Sequence, residues 1–139
     1  QDNGSWRGPA YVWRAQGIRN SYWQEISFGD GFDVIPDKDD SQFGWTMSQQ
    51  GYVSRYDWKT GNNYIVRPTH PDADVTLRFN WNAAINIDPY SNNILYFGSQ
   101  FVHKSTDKGD TWDIISPDLT TNDPDKLKQH ESGGDQGST

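Results

Sequence analysis

Two carboxylate residues, Glu25 and Asp30, lie five positions apart near aromatic and amide residues, a combination suited to acting on a sugar. Hydrolysis of a glycosidic bond requires two carboxyl groups about 5 Å apart for retention of configuration, or farther apart for inversion. Nothing in the spacing of Glu25 and Asp30 sets their separation, so both are candidates for catalytic residues by residue type alone. We do not expect the chain to be catalytic on its own.

A larger set of residues could bind a ligand without reacting with it. Aromatic faces stack on pyranose rings, amides and carboxylates bind hydroxyls, and such groups usually occur in pockets with apolar walls. The predicted ligand-binding residues are Trp23, Asp30, Asp33, Gln49, Arg78, Asn80, Trp81, Asn82 and Gln100. In the alternative interpretation, the two tryptophans pack between structural units, and the Asn and Asp residues stabilise glycine-containing turns.

Two groups of acidic residues can be compared with the spacing of known metal-binding loops. Asp37, Asp39 and Asp40 form one group of closely spaced oxygen donors, and Asp72 and Asp74 form another. Neither group follows the EF-hand loop with its central Gly and closing Glu. The three histidines lack the spacing of a zinc site, and the chain has no cysteine. We therefore predict no metal site and no cofactor.

Composition excludes several classes of function. The chain has 139 residues and a net charge of -7, which argues against nucleic acid and anionic membranes because both attract clustered Lys and Arg. It has no run of about 18 apolar residues, so we predict no membrane insertion. Seven Trp, seven Tyr and six Phe supply large apolar side chains for a folded core despite a hydrophobic fraction of 32%.

The elements that must position these residues are short β-segments bounded by Gly, Asn, Asp and Pro. Two stretches have matching turns: Gln49 and Gln100 are 51 residues apart, and Asp57 and Asp107 are 50 apart. Each stretch predicts four strands in an antiparallel meander. A four-stranded unit with a period of about 50 residues is typical of a β-propeller blade, so we predict an all-β fold. The alternative is a β-sandwich or a meander barrel.

The later turn carries a specific motif, Ser-Thr-Asp-Lys-Gly-Asp-Thr-Trp. The Asp carboxylate can accept hydrogen bonds from turn amides, the Gly permits a positive φ, and the Trp can pack back over the turn. We therefore assign a structural role to the fixed residues Ser105, Asp107, Gly109, Thr111 and Trp112. The earlier turn from Asp57 to Gly61 is a degenerate copy that lacks the Thr-Trp pair.

At every fixed position this motif resembles the Asp-box of BNR-repeat β-propellers. Residues 1–6, 29–33, 79–84 and 115–122 are similar to large bacterial Asp-box proteins described as glycosyl-hydrolase-like or sortilin-like. The resemblance spans nearly the whole chain. Since those proteins are several times longer and secreted, it implies an excised segment and an extracellular or periplasmic location. It also implies that the Asp-box lies at the edge of the blade away from the ligand.

The repeat and the resemblance together predict about two blades plus part of a third. The predicted plan is a half-blade at 1–28 with an insertion at 7–20, a second blade at 29–67, a crossing loop at 68–79, a third blade with the Asp-box at 80–116, and a polar tail or linker at 117–139 with a candidate short helix at 123–130. The insertion is expected to form a surface hairpin for a partner.

Three functional hypotheses follow. The first is a structural and ligand-binding segment of a larger secreted Asp-box propeller, related to carbohydrate. The second is a fragment of a glycoside hydrolase whose catalytic groups lie partly elsewhere. The third is a sortilin-like peptide-binding or protein-binding module. The expected partners are a glycan or peptide ligand and the remaining blades of the parent protein. Exposed blade edges also predict self-association of the segment.

Overall fold

The computed structural model describes residues 2–125 and residue 127, and their regular structure is almost entirely β-strand. The strands are β1 Ser5–Arg7, β2 Gln24–Ser27, β3 Gly31–Pro36, β4 Phe43–Ser48, β5 Tyr52–Asp57, β6 Asn62–Ile65, β7 Ile85–Ile87, β8 Leu95–Gly98, β9 Val102–Ser105 and β10 Asp113–Ile114. Two short 3-10 turns occupy Asn20–Tyr22 and Gln49–Gly51, and the described residues contain no α-helix. The predicted all-β class is confirmed.

The strands form three antiparallel sheets. Sheet A contains β1 and β2, sheet B has the order β3-β4-β5-β6, and sheet C has the order β10-β9-β8-β7. Because neighbours in sheets B and C are also consecutive in the chain, each sheet is a simple meander. The prediction of two four-stranded antiparallel units is therefore confirmed.

Sheet B has a neighbour on each face. In β4, Trp45 and Met47 are buried on the face towards sheet C. Thr46 points to the opposite face, where its hydroxyl hydrogen-bonds that of Ser54 at 2.9 Å. This alternation follows from the period of two in a strand, and it explains why a polar residue is buried between two apolar ones. Sheet A covers this second face, since Asn63 of β6 donates a hydrogen bond to the carbonyl of Ile26 at 2.9 Å.

The main apolar core lies between sheets B and C. Both sheets and the segment that connects them contribute its buried side chains, Trp45, Met47, Val53, Phe79, Ala83, Ile85, Leu95 and Phe97. Burial of each of the larger aliphatic and Phe side chains in this set contributes about 1.5–3 kcal/mol to stability. The first strands of the two sheets, β3 and β7, lie next to each other. Sheets A, B and C are thus stacked face to face in chain order.

Three polar contacts join sheets B and C at the end of the strands that carries the Asp-box. The indole Nε1 of Trp45 donates to the carbonyl of Lys108 at 3.0 Å, and that of Trp112 donates to the carbonyl of Val66 at 2.7 Å. The ammonium group of Lys108 pairs with the buried carboxylate of Asp37 at 2.8 Å. The Asp-box turn therefore fastens its own sheet to the preceding one.

The hairpin expected within the insertion at 7–20 is not formed. Residues 8–19 contain bends and a turn, in which the amide of Gly17 donates to the carbonyl of Arg14 at 3.0 Å. Gly8, Pro9 and Gly17 interrupt the segment, and Pro9 has no amide hydrogen for strand pairing. Tyr11 and Trp13 instead contact each other edge to face.

The predicted tail extends past the described part of the chain. Of the candidate helix at 123–130, residue 126 and residues 128–130 lie outside the described residues, as does the rest of the tail to residue 139. Asp123, Asp125 and Leu127 are described, and the amide of Leu127 donates to the carbonyl of Asp123 at 3.1 Å.

Candidate functional site

The two ends of the strands in sheets B and C carry different turns and side chains. We call the end at which β3 begins the upper end, and the end that carries the Asp-box turn the lower end. Strand register places the Gln49 and Gln100 turns at the upper end, because Gly31 pairs with Ser48 and Gly98 pairs with Val102. The upper end is the one that the sequence predicts to bind a ligand.

Asp30 and Gln49 meet at the upper end, where the side chain of each binds a neighbouring backbone segment. The side-chain oxygen of Gln49 accepts a hydrogen bond from the amide of Asp30 at 2.8 Å. One carboxylate oxygen of Asp30 accepts a hydrogen bond from the amide of Asp2 at 3.2 Å. These bonds hold the loop before β3 to the β4–β5 turn and to the segment before β1. Both side chains therefore have a structural role here.

The side chain of Gln100 also binds backbone groups of the protein itself. It is buried, its side-chain oxygen accepts a hydrogen bond from the amide of Arg78 at 2.8 Å, and its side-chain nitrogen donates to the carbonyl of Thr76 at 2.9 Å. Its own carbonyl accepts a hydrogen bond from the amide of Leu119 at 2.8 Å. Gln100 thus joins the crossing segment to the segment that follows β10.

The guanidinium group of Arg78 reinforces the same junction. It donates hydrogen bonds to the carboxylate of Asp118 at 2.9 Å and to the hydroxyl of Thr120 at 2.8 Å, and it also contacts the side chain of Asn122. Hydrogen bonds from Thr120, together with the charge of Arg78, lower the pKa of the Asp118 carboxyl. These three contacts leave Arg78 poorly placed to bind an external ligand.

Other predicted ligand-binding residues at this end face solvent. Asp33, Asn80 and Asn82 are exposed. Trp81 is partly buried, and its carbonyl accepts a hydrogen bond from the amide of Gln50 at 3.0 Å. The upper end therefore combines a hydrogen-bonded framework with a few exposed polar groups.

The two candidate catalytic carboxylates border the same short segment. The carboxylate of Glu25 lies so close to Gly4 that a Cβ at that position would overlap it. The carboxylate of Asp30 accepts a hydrogen bond from the amide of Asp2, which precedes Gly4 by two residues. The structure thus brings Glu25 and Asp30 to one segment, with Asp30 held by a backbone contact.

Trp23 lies apart from this group. Sheet A pairs Gln24 with Arg7, so Trp23 sits at the lower end of β2 while Asp30 follows its upper end. The indole ring of Trp23 packs against Gly8 and remains 47% exposed. It lines a concavity of about 440 Å³ together with residues of β1, β3 and their neighbours, namely Trp6, Arg7, Gly8, Pro9, Ala10, Val34, Pro36 and Ser41. We call this surface the Trp6–Trp23 concavity.

Trp6 was not among the ligand-binding residues predicted from the sequence. Its side chain is 48% exposed, and its register partner in β2 is Glu25. An irregularity in the pairing falls between Ser5 and Trp6. The sequence signal that could have identified Trp6 is its position at the start of the insertion, where the chain leaves β1 beside the entry to β2.

The Asp-box forms a closed hydrogen-bonded turn at the lower end. The buried hydroxyl of Ser105 accepts from the amide of Gly109 at 2.8 Å and donates to the Asp107 carboxylate at 2.7 Å. That carboxylate also accepts hydrogen bonds from the amide of Thr111 at 2.8 Å and from its hydroxyl at 2.6 Å. The bonds from Thr111, followed by that from Ser105, lower the pKa of the Asp107 carboxyl. The side-chain oxygens of Ser105, Asp107 and Thr111 are thus engaged within the turn.

The buried carboxylate of Asp37 is bound by protein groups. Burial alone would raise the pKa of Asp37, but hydrogen bonds from Lys108 and Asn92 lower it to about 2. Within residues 2–125 and 127, no group of three or more His, Asp or Glu is arranged to hold a metal ion.

Comparison with known proteins gives no relative: no family model, curated protein or solved structure matches the chain. No helix in the described part of the chain has the length and hydrophobicity needed to cross a bilayer.

Proposed function

We propose that this chain is a structural and carbohydrate-binding segment of a larger, secreted Asp-box β-propeller, exported to the extracellular space or the periplasm. In this proposal sheets B and C are two blades, and sheet A is the outer half of a preceding blade. The remaining blades of the parent protein would cover the outer faces of sheets A and C.

The stacking of the sheets supports the propeller. Blades of a propeller are four-stranded meanders that pack face to face around an axis, with their first strands closest to that axis. Sheets B and C are such meanders, and β3 lies beside β7. The side chains of Lys108 and Trp112 in sheet C bind groups of the preceding sheet B or of the segment directly after it. Such contacts are expected where one sheet packs on the next.

The Trp6–Trp23 concavity is the observation that carries the carbohydrate part of the proposal. Two half-exposed indole rings border it, and the guanidinium of Arg7 and the hydroxyl of Ser41 add polar groups. A concave surface with apolar walls and a few polar groups is the usual form of a small-ligand site. Indole rings suit the apolar faces of sugars, and the polar groups can bind sugar hydroxyls.

A titration of the chain with neutral oligosaccharides, followed by Trp fluorescence, tests this site. Binding should shift the emission, and Trp23→Ala should weaken binding at least tenfold because the stacking surface is removed. Trp13→Ala is the matched control, since Trp13 is 89% exposed and does not line the concavity. If no sugar shifts the spectrum while a peptide does, the carbohydrate proposal is wrong and the peptide-binding hypothesis replaces it.

A second candidate function is part of a glycoside hydrolase active site. The position of Glu25 and Asp30 beside the Asp2–Gly4 segment favours it, because hydrolysis requires two carboxyl groups close together. The test is release of reducing ends by this chain within its parent protein. Loss of that activity in both Glu25→Gln and Asp30→Asn, with neutral-sugar binding retained, would support the hydrolase. Full activity in both variants would exclude these two residues.

A further inference from the structure

A second concave surface lies where sheets B and C meet at their outer strands. It has a volume of about 500 Å³. Arg55 of β5 and Tyr64 of β6 line one side, Arg67 and Thr69 of the following segment line another, and Asp110 of the Asp-box turn lines a third. We call this surface the arginine cleft. It shares none of its lining residues with the Trp6–Trp23 concavity.

The floor of the arginine cleft is fixed by the Asp-box. The carbonyl of Val66 accepts a hydrogen bond from the indole of Trp112 at 2.7 Å. Gly109 packs so closely on Val66 that an added Cβ would lie 3.1 Å from its side chain. Because two contacts from one turn hold the floor in place, little ordering of the backbone would be needed when a ligand binds.

Arg67 lies at the border between this cleft and an adjoining concavity that Tyr52 and Phe79 line. Its guanidinium carbon lies 4.5 Å from the ring centre of Phe79 and 4.9 Å from that of Tyr52. These stacking contacts use the flat surface of the guanidinium and leave its in-plane N–H groups for other partners. Among the described residues, no carboxylate lies within ion-pair distance of Arg67.

Arg55 supplies a second guanidinium group, and its existing partner is weakly held. Arg55 pairs with Asp110 at 3.4 Å, and the side chain of Asp110 is 61% exposed. Exposed ion pairs of this kind contribute little, so a ligand can replace Asp110 at small cost. Two arginine residues line one cleft in a chain with a net charge of -7, and this local positive charge favours an anionic ligand there.

We propose that the arginine cleft binds a carboxylate-bearing saccharide, such as an oligomer of uronic acid. The planar guanidinium of Arg67 matches a carboxylate through two parallel hydrogen bonds. The volume exceeds what a single carboxylate needs, and Tyr64 and Thr69 offer a ring face and a hydroxyl to the sugar. This inference deepens the proposed carbohydrate-binding function and rests on it, but it uses different residues.

Calorimetric titration of the chain with a uronic acid trisaccharide tests the cleft. We expect binding that weakens at least tenfold in Arg67→Gln, weakens less in Arg55→Gln, and is unchanged in Arg14→Gln. Arg14 is exposed in the segment between β1 and β2, so it controls for the loss of one positive charge. Arg67→Lys keeps the charge without the forked donors, and should also bind at least fivefold more weakly.

Several outcomes would overturn the proposal. They are equal binding of the uronic acid trisaccharide by Arg67→Gln and the unchanged chain, equal weakening in Arg14→Gln, or displacement of the trisaccharide by acetate at similar concentration. Melting temperatures of the variants show whether folding is retained, and the Arg67→Lys comparison decides the matter if Arg67→Gln is unstable. Neutral-sugar binding and its loss in Trp23→Ala test the other site separately, so failure at one surface is distinguishable from failure at the other.

Discussion

The turn after β5 and the Asp-box turn after β9 occupy the same place in sheets B and C, yet their side chains do different things. In the first turn the carboxylate of Asp57 accepts hydrogen bonds from the amides of Lys59 and Thr60 at 3.0 and 3.4 Å. It also accepts one from the side chain of Gln42 at 2.9 Å. These bonds stabilise the turn within sheet B and do not extend to sheet C.

In both turns the residue after the Asp contacts the preceding sheet. The guanidinium carbon of Arg7 in sheet A lies 4.2 Å from the ring centre of Trp58. The carbonyl of Trp58 also accepts a hydrogen bond from the side chain of Gln24 in sheet A. At the equivalent position Lys108 pairs with the buried carboxylate of Asp37 of sheet B. The contact between neighbouring sheets is thus retained while its chemistry changes from stacking to an ion pair.

The Asp-box adds a second anchor that the degenerate turn lacks. Trp112 packs against Phe97 and donates its indole hydrogen to the carbonyl of Val66 in the neighbouring sheet. By strand register, the equivalent position in sheet B is Tyr64, because it lies opposite Arg55 as Trp112 lies opposite Ser105. Its side chain is 54% exposed and has no such bond. The complete motif therefore does more than shape a turn, because it joins two sheets as well.

The largest expected effect comes from removing this second anchor. Trp112→Ala should lower the free energy of unfolding by about 3–5 kcal/mol, because a partly buried indole is lost and the carbonyl of Val66 loses its partner. Asn62→Ala, at an exposed position in the outer strand of sheet B, is the control and should change it by less than about 0.5 kcal/mol. Urea denaturation of both variants measures the difference. Equal effects would show that the second anchor does not stabilise the contact between the sheets.

The next effect concerns two equivalent buried positions, His103 in β9 and Val53 in β5. Burial, with a smaller effect from the charge of His70, lowers the pKa of His103 to about 4. Its Nε2 lies 2.7 Å from the hydroxyl of Ser99, and its buried Nδ1 has no hydrogen-bond partner. The folded protein therefore holds His103 neutral at a pH where the unfolded chain, with an ordinary pKa of about 6.5, is protonated.

This difference makes stability depend on pH. Since the folded pKa lies below the unfolded one, the stability is full above pH 6.5 and falls by about 3 kcal/mol as the pH drops towards 4. His103→Val copies Val53 and should flatten the dependence in that range, whatever it does to stability at pH 7. Urea denaturation at several pH values between 7 and 4 measures the slope. An unchanged slope in the variant would assign the pH dependence to other groups.

The same comparison shows which features the sequence could predict. The meander, the Asp-box and the assignment of turns to one end depend on local signals, such as the Ser-x-Asp-x-Gly-x-Thr-Trp spacing and the alternation of Trp45, Thr46 and Met47. Local signals of this kind identify strands and turns because hydrogen bonding within them links residues close in the chain.

The use of individual polar side chains could not be predicted. Arg78 was a candidate ligand-binding residue because its type suits one, but it contacts Asp118, which is 40 residues away. The sequence predicts Trp23 and Asp30 as members of one ligand-binding set, but the pairing of Gln24 with Arg7 places them at opposite ends of β2. These outcomes depend on contacts between distant segments, for which one sequence carries no local signal.

A third effect follows from the glycines of the two turns. Gly109 has a φ of 96° and Gly61 a φ of 75°, so alanine is strained at both. A Cβ at Gly109 would also lie 3.1 Å from Val66, whereas nothing lies within 4 Å of one at Gly61. Gly109→Ala should therefore destabilise the protein by about 2 kcal/mol and Gly61→Ala by about 1 kcal/mol. Thermal denaturation compares the two, and equal losses would mean that the contact with Val66 adjusts freely.

The smallest expected effect tests the carboxylates themselves. Asp107→Ala removes the acceptor for Ser105 and Thr111, and should lower the free energy of unfolding by about 1 kcal/mol at pH 7. Asp57→Ala should have a smaller effect, because its turn has no link to Trp112 or an equivalent anchor.

The double variant of Asp107 and Trp112 to Ala separates two roles. A combined loss smaller than the sum of the single losses means that Asp107 acts by positioning Trp112, whereas additive losses mean that the turn and the anchor are independent. We expect the smaller combined loss, since Asp107 binds the amide of Thr111, the residue directly before the indole.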